Sequence, residues 1–290
     1  MSDAGFHHAV RGRVGHSFPR GALAAVATLF VTVAVADEMK YPLSVAAGAD
    51  GRVVVADRTL PGLWTVADGT ATILFQGKKT FRTPLNAVRA VAVAADGTVF
   101  AADSATRDVF RMGDGEPAPL TKGAIGIPVD IAIDPSGDLF VSDLETQRVW
   151  RVPSAGGEPK EVAVLAAPRG LFVDAQGRLW AVAASGDAPL VRIGSDGAVE
   201  PVVKERVFEF PHDVVVADDG NAYVSDNYAR CVWKVAPDGS ATKWASGDPL
   251  LGPVGLALRG GRVIIADPQA KAIWEADADG KLSPLAKAAP

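Results

Sequence analysis

The sequence predicts an all-β protein, a six-bladed β-propeller of four-stranded antiparallel blades. Three observations carry that expectation. A short unit, a glycine followed by an apolar run, recurs six times as "DGRVVVAD", "DGTVFAAD", "SGDLFVSD", "QGRLWAVA", "DGNAYVSD" and "GGRVIIAD", setting Gly51, Gly97, Gly137, Gly177, Gly220 and Gly261 at intervals of 46, 40, 40, 43 and 41. Six residues after the glycine stands an acid, Asp57, Asp103, Asp143, Asp226 or Asp267, and only the fourth copy departs, with Ala183. Thirteen residues after it stands Trp64, Phe110, Trp150, Trp233 or Trp274, and the fourth copy again differs, with Val191 one place later. A repeat of about 40 residues with β-branched runs is the arithmetic of a propeller blade, and closing such blades into a ring protects edges that an open array would expose.

Taken in chain order, the first element is not part of the repeat. Arg11, Arg13 and Arg20 precede the apolar run "ALAAVATLFVTVAVA", which ends with Ala34 and Ala36 flanking Val35. Basic residues, an apolar stretch of about 15 residues and a small-x-small end read as a secretory signal over residues 1–36, since about 20 apolar residues are needed to span a bilayer. The protein is therefore expected to be exported, periplasmic or secreted, with a membrane partner only if this segment is retained. Cleavage before Asp37 leaves 26 basic against 33 acidic residues, a net charge of −7. That surface argues against nucleic acid as a partner. His7, His8 and His16 leave with the segment, so His212 is the only histidine of the mature chain, and Cys231 is the only cysteine, which excludes an intramolecular disulfide and a Cys-based zinc site.

Residues 37–290 then form one propeller. Each unit divides into four strands, a to d, as in "VDIAID", "DLFVSD", "RVWRV" and "KEVAVLA" of the third copy. Five copies enter strand a through a proline, Pro42, Pro128, Pro168, Pro211 and Pro253. Because the chain begins with a strand a and ends with a strand d, no strand is exchanged between the first and last blades, and closure must rest on side-chain packing. The repeated acids are expected to accept hydrogen bonds from the b–c loop, with Asp143 and Arg148 forming a local ion pair. The repeated aromatics are expected to pack blade against blade.

Turn chemistry separates the two faces. The a–b and c–d connections carry "DG", "SG", "QG" or "GG", for example "VADGTA" and "APDGS", and such pairs favour tight two-residue hairpins. The b–c and d–a loops must then share the opposite face, where variable length and content suit function. The longest, "FQGKKTFRTPLNAVRA", brings Lys78, Lys79 and Arg82 towards the mouth of blade two. The first residues of each strand a line the mouth of the central channel: Leu43 and Ser44, Arg89 and Ala90, Val129 and Asp130, Arg169 and Gly170, His212 and Asp213, Val254 and Gly255. Polar groups come from blades two to five and face an apolar wall, the usual composition of a small-molecule pocket. The alternative is that Arg89, Asp130, Arg169 and Asp213 only pair with one another across a solvated opening. Blade five is richest, since its b–c loop adds Asn227 and Tyr228 beside His212, a set able in principle to perform general acid–base chemistry.

"VSDLETQRVWRV", "AADSATRDVFRM" and "VSDNYARCVWKV" resemble NHL repeats, in which an acid after strand b is followed by a polar loop, an arginine and an apolar-aromatic strand. The resemblance covers nearly the whole chain after residue 36 and implies the propeller fold, which hosts lyases, lactonases and plain binding domains. "PHDVVV" and "YVSDNY" are also similar to the NHL-type peptidylglycine amidating lyases, which hold zinc with three channel histidines. The matching positions here are Arg89, Val129, Arg169 and Val254, so a three-His zinc site cannot form. The gluconolactonase and senescence-marker-like propellers resemble the chain in blade number, and that resemblance implies a divalent cation held by Glu, Asn and Asp. Their "PNG" is absent, although Asp130 and Asp213 could hold calcium or magnesium with waters.

Two functions follow as expectations. The first is an exported binding module, needing no cofactor, that holds a small anion or a partner protein on the long-loop face. Its ligand groups would be Arg89, Arg169, Lys78, Lys79, Arg82 and Asn227, since focused positive charge on an acidic protein concentrates anions. The alternative is a metal-dependent lactonase, esterase or lyase acting at the channel mouth, with His212 and Tyr228 as catalytic groups and Asp130 and Asp213 at the metal.

Overall fold

The computed structural model describes residues 39–80, 83–184 and 187–286. The predicted export segment 1–36, Arg82 and residues 287–290 lie outside the described residues. The described chain is all β, six sheets of four antiparallel strands with every sheet built from four consecutive strands. Blade one comprises β1 (Pro42–Ala47), β2 (Val53–Asp57), β3 (Gly62–Ala67) and β4 (Thr70–Gln76); blade two β5 (Val88–Val93), β6 (Val99–Asp103), β7 (Asp108–Arg111) and β8 (Ala118–Pro119). Blade three comprises β9 (Pro128–Ile133), β10 (Leu139–Asp143), β11 (Arg148–Val152) and β12 (Lys160–Val164); blade four β13 (Pro168–Val173), β14 (Leu179–Ala183), β15 (Leu190–Ile193) and β16 (Val199–Val203). Blade five comprises β17 (Pro211–Val216), β18 (Ala222–Asp226), β19 (Cys231–Val235) and β20 (Ala241–Ser246); blade six β21 (Leu256–Arg259), β22 (Arg262–Asp267), β23 (Ala272–Ala276) and β24 (Leu282–Pro284).

Second strands such as VVVAD and VFAAD are buried at every position because each has a blade on either face. The core is accordingly six interfaces rather than one centre. Each apolar cluster draws on two adjacent blades, and the cluster joining Val45, Val53 and Val55 of blade one to Ala257, Ile264 and Ile273 of blade six closes the ring. Among the described residues no strand is exchanged there. Side-chain burial, with Arg259 donating to the Gly51 carbonyl at 3.2 Å, joins the first blade to the last. The repeated aromatics lie in these interfaces: Trp64 packs with blade six, Phe110 with blade one, and Trp150, Trp233 and Trp274 with the blade before their own.

The repeated acids do more than close the b–c loop. Asp143 accepts from the N–H groups of Glu145 and Thr146 in that loop and also from Gly126 and Ile127 in the incoming d–a loop. Asp57 and Asp226 repeat the pattern, so one carboxylate ties two loops of the working face. The indoles of Trp150 and Trp233 donate to these same carboxylates at 3.0 and 3.2 Å. The expected Asp143–Arg148 ion pair does not form. Arg148 pairs with Glu161 on the neighbouring strand at 2.6 Å, because the carboxylate is already filled by the donors of two loops and by Thr146 and Trp150.

The glycine turns also differ from expectation. Asp68–Gly69 and Gly260–Gly261 are two-residue hairpins with positive φ at both positions. Most of the others insert one further residue: Gly48 and Arg52 pair around Ala49, Asp50 and Gly51, and Asp50 accepts the Arg52 N–H at 3.1 Å. The glycine at φ 83° then takes the left-handed position of a three-residue loop. Five turns of this kind and the two-residue turn at Gly260–Gly261 keep the a–b end short and leave the opposite end to the longer loops.

Candidate functional site: the channel mouth

The inner strands do not enter the ladder smoothly. In blades one, two and three the register slips by one residue at Leu43, Arg89 and Val129, and in blades four and five it also slips by one, across the unpaired stretches Arg169–Gly170 and His212–Asp213. A bulge frees a residue from pairing and re-aims its side chain. Here the freed residues are those that line the channel mouth. Leu43, Ser44, Arg89, Val129, Asp130, Arg169, Gly170, His212, Asp213 and Gly255 surround a cavity of about 40 Å³.

The second of the two mouth positions in each blade follows an alternation. Blades one, three and five carry Ser44, Asp130 and Asp213, whereas two, four and six carry Ala90, Gly170 and Gly255. Each polar residue accepts an N–H from the next blade: Val91 to Ser44 at 3.2 Å, Leu171 to Asp130 at 2.7 Å and Leu256 to Asp213 at 2.7 Å. The small residues let the blades approach closely enough for this. A Cβ on Gly170 would overlap Asp213, and one on Gly255 would stand 2.7 Å from the Leu43 carbonyl. Asp213 is further fixed by Ser225, whose hydroxyl receives the Asp213 N–H at 3.0 Å and donates to the Val254 carbonyl at 2.5 Å.

Charge in the mouth is unbalanced. Among the described residues neither Arg89 nor Arg169 forms an ion pair, and the Nε of each is buried without an acceptor. Burial, followed by Arg58, holds the Arg89 pKa below its ordinary value; burial and then Arg89 do the same to Arg169. The alternative reading, in which the arginines and aspartates pair with one another, is therefore not met among the described residues. Arg169 instead lies 4.5 Å from the Phe210 ring centroid and donates to His212 Nε2 at 3.3 Å. A guanidinium only donates, so Nε2 accepts and the imidazole proton sits on Nδ1. Burial, and then Arg169 and Arg89, push His212 down to about 3, so it is neutral at pH 7.

The two carboxyls behave in the opposite sense. Burial raises Asp130 to about 7, and burial together with Asp130 lifts Asp213 well above the carboxylate range. Asp130 keeps some solvent contact through the mouth, but the surrounding blades strip most of its hydration. Both also border the central channel beneath, about 290 Å³, whose walls are otherwise the apolar residues Val45, Val91, Ile131, Leu171, Val214 and Leu256 and their neighbours. They form the neck between a cationic mouth and an apolar channel.

The other sequence-predicted residues are not brought into the mouth. Lys78 is exposed, and exposed Lys79 lines a separate depression with Lys40, Thr59 and Gln76. Asn227 donates to the Gly252 carbonyl at 3.2 Å and so links the blade-five and blade-six loops. Tyr228 is 66% exposed and stacks on Phe210 at 4.7 Å, outside the mouth lining. Phe210, which supports both Arg169 and Tyr228, was not anticipated from the sequence. Its position immediately before the Pro211 that opens β17 is the signal that could have found it. No group of three His, Cys, Asp or Glu suited to a metal ion occurs among the described residues.

Residues 208–235 match the NHL repeat family, spanning the start of blade five to the end of β19. A stretch of 30 residues is 53% identical to peptidyl-glycine alpha-amidating monooxygenase A of Xenopus laevis, covering 10% of this chain and 3% of that protein. Among solved structures, a gluconolactonase from Xanthomonas campestris aligns with a TM-score of 0.68 at 18% identity, over 83% of this chain and 87% of the other. Virginiamycin B lyase from Staphylococcus aureus aligns at 0.66 and 17%, over 88% and 87%. A chain of a nidogen/laminin complex aligns at 0.66 and 18%, over 77% and 89%. At these identities the likeness carries the architecture and no activity, and the chain is a six-bladed β-propeller with an NHL repeat in its fifth blade.

Proposed function

We propose that this propeller is an exported binding module that holds a small anion at the channel mouth through Arg89 and Arg169. The observation that carries the reading is the pair of guanidiniums in one cavity with no carboxylate partner and with buried Nε groups that lack acceptors. A planar oxyanion such as a carboxylate would satisfy these donors and relieve the repulsion between them. His212 serves this site by accepting from Arg169. Its lone pair is thereby occupied, and a base titrating near 3 is poorly matched to neutral pH, which favours binding over catalysis by His212.

Metal-assisted hydrolysis or lyase chemistry at the same mouth is the second reading, supported by the likeness to a gluconolactonase and a lyase. The donor set fits it less well. One oxygen of Asp130 and both of Asp213 accept backbone N–H groups, and both residues favour the protonated form. Calorimetric titration of the protein with acetate and with sulfate tests the binding reading. The Arg89→Ala, Arg169→Ala double variant should weaken either anion by about a hundredfold, as expected when charge-assisted hydrogen bonds of about 1.5–3 kcal/mol are lost. Unchanged affinity would overturn the assignment. Saturable calcium or magnesium binding, abolished by Asp130→Asn, would favour the hydrolytic reading instead.

A further inference from the structure

We propose that two copies of this chain associate through the outer edge of blade one, strand β4 of each pairing antiparallel with β4 of the other. The inference is independent of the channel mouth. The fourth strand of every blade is its outer edge, a row of backbone N–H and C=O groups open to a further strand. Five of the six edges carry a residue that opposes such pairing. Facing the repeated aromatic in the ladder, or Val191 in blade four, stand Pro119, Glu161, Pro201, Lys243 and Pro284. Proline lacks the N–H that a ladder needs, and a charged side chain resists burial between two strands. Blade one alone has an apolar residue at this position, Ile73 opposite Trp64.

The rest of β4 fits the same reading. Its sequence TATILFQ holds neither proline nor charge, and at 7 residues it is the longest of the six edge strands. Ile73 and Leu74 are adjacent and each 38% exposed. The exposed valines of other edges stand singly, Val164 in a strand with Lys160 and Glu161, and Val199 beside Glu200 and Pro201. The bulge at Leu74 does not set blade one apart, because it recurs at Val162, Val202 and Trp244.

The ends of β4 identify the occupant. Asp68 stands five residues before Ile73 and Lys78 five after it. Both are exposed, and among the described residues neither forms an ion pair within the chain. Antiparallel pairing of two β4 strands about Ile73 sets Asp68 of each copy against Lys78 of the other and Ile73 against Ile73. Parallel pairing in register would set like charges together. One surface thus serves both copies, the self-complementary contact of a two-fold dimer.

A contact along one edge strand lies at the small end of protein interfaces, so the dimer is expected at micromolar concentrations and above. Sedimentation velocity of the whole protein from about 1 to about 500 µM should show a monomer–dimer equilibrium. Ile73→Lys gives blade one the residue type that Lys243 supplies in blade five. It should leave the melting temperature unchanged and weaken dimerisation by at least about tenfold. Lys78→Glu, in an exposed loop, should weaken it several-fold, and the Asp68→Lys, Lys78→Glu double variant should restore it, because the facing charges are exchanged rather than lost. Monomer at every concentration, or a dimer indifferent to Ile73→Lys, overturns the proposal and leaves this edge to a different partner. A dimer that Lys78→Glu weakens and the charge exchange fails to restore overturns the antiparallel arrangement.

Discussion

Single side chains decide how rigid the working face is. Asp143 shows the mechanism: burial alone would raise its pKa, but hydrogen bonds from Thr146, Gly126, Ile127 and Trp150 outweigh burial and leave it below the usual carboxylate value. Replacing it with alanine strands buried backbone donors in two loops at once. Asp143→Ala should cost on the order of 3 kcal/mol of unfolding free energy, measured by urea denaturation. Arg148→Ala should cost under about 1 kcal/mol, because its pair with Glu161 is exposed. That contrast was only half legible in the sequence. The recurrence of the acid announced a structural role, but its second set of donors comes from a loop about 17 residues upstream, and no local pattern records which incoming loop lies over it.

Among the elements, the inner strands matter most for function. Their bulges free Arg89, Arg169 and His212, and their alternating small residues allow neighbouring strands to approach closely. Gly170 carries no positive-φ requirement; it is glycine because Asp213 occupies the space a side chain would need. Gly170→Ala should therefore destabilise the fold by about 1–3 kcal/mol and weaken anion binding, since Arg169 precedes it in the same bulge. Gly220→Ala should leave binding unchanged, because that glycine serves only a left-handed turn on the far end of blade five. Equal effects of the two substitutions on binding would refute this account of the bulge. The sequence allowed the mouth residues to be identified by position in the repeat, while the slip that points them inward depends on pairing and had no signature beyond the entry proline.

At the scale of the whole molecule, stability should carry the mark of the buried pair. Asp130 is raised to about 7 and Asp213 lies well above its ordinary value, so the folded state binds protons more tightly than the unfolded chain does. Their contribution is fully present below the unfolded carboxylate pKa of about 4 and is lost as pH rises through about 7 and beyond. Asp143 and Asp174, both lowered, act in the opposite sense and lose their contribution as pH falls below about 4. Thermal denaturation at constant ionic strength should accordingly show a maximum on the acid side of neutrality and a decline towards pH 8. Asp130→Asn should flatten that decline, and an unchanged pH profile in the variant would assign it to other groups.

The sequence by itself determined the number of blades, the strand order within each, the short-turn and long-loop faces and the residues at the channel mouth. Those features repeat, and a repeated local pattern needs only neighbouring residues to express it. Only the tertiary structure decided which charges meet. Among the described residues it left the two arginines without carboxylates, tied Arg148 to Glu161, placed Lys79 in a separate depression and set Asp130 and Asp213 in the lining shared by mouth and channel. Ionic partners are chosen across blades, by bulges and by the room that glycine leaves, and the desolvation that moves their pKa values exists only once the ring has closed.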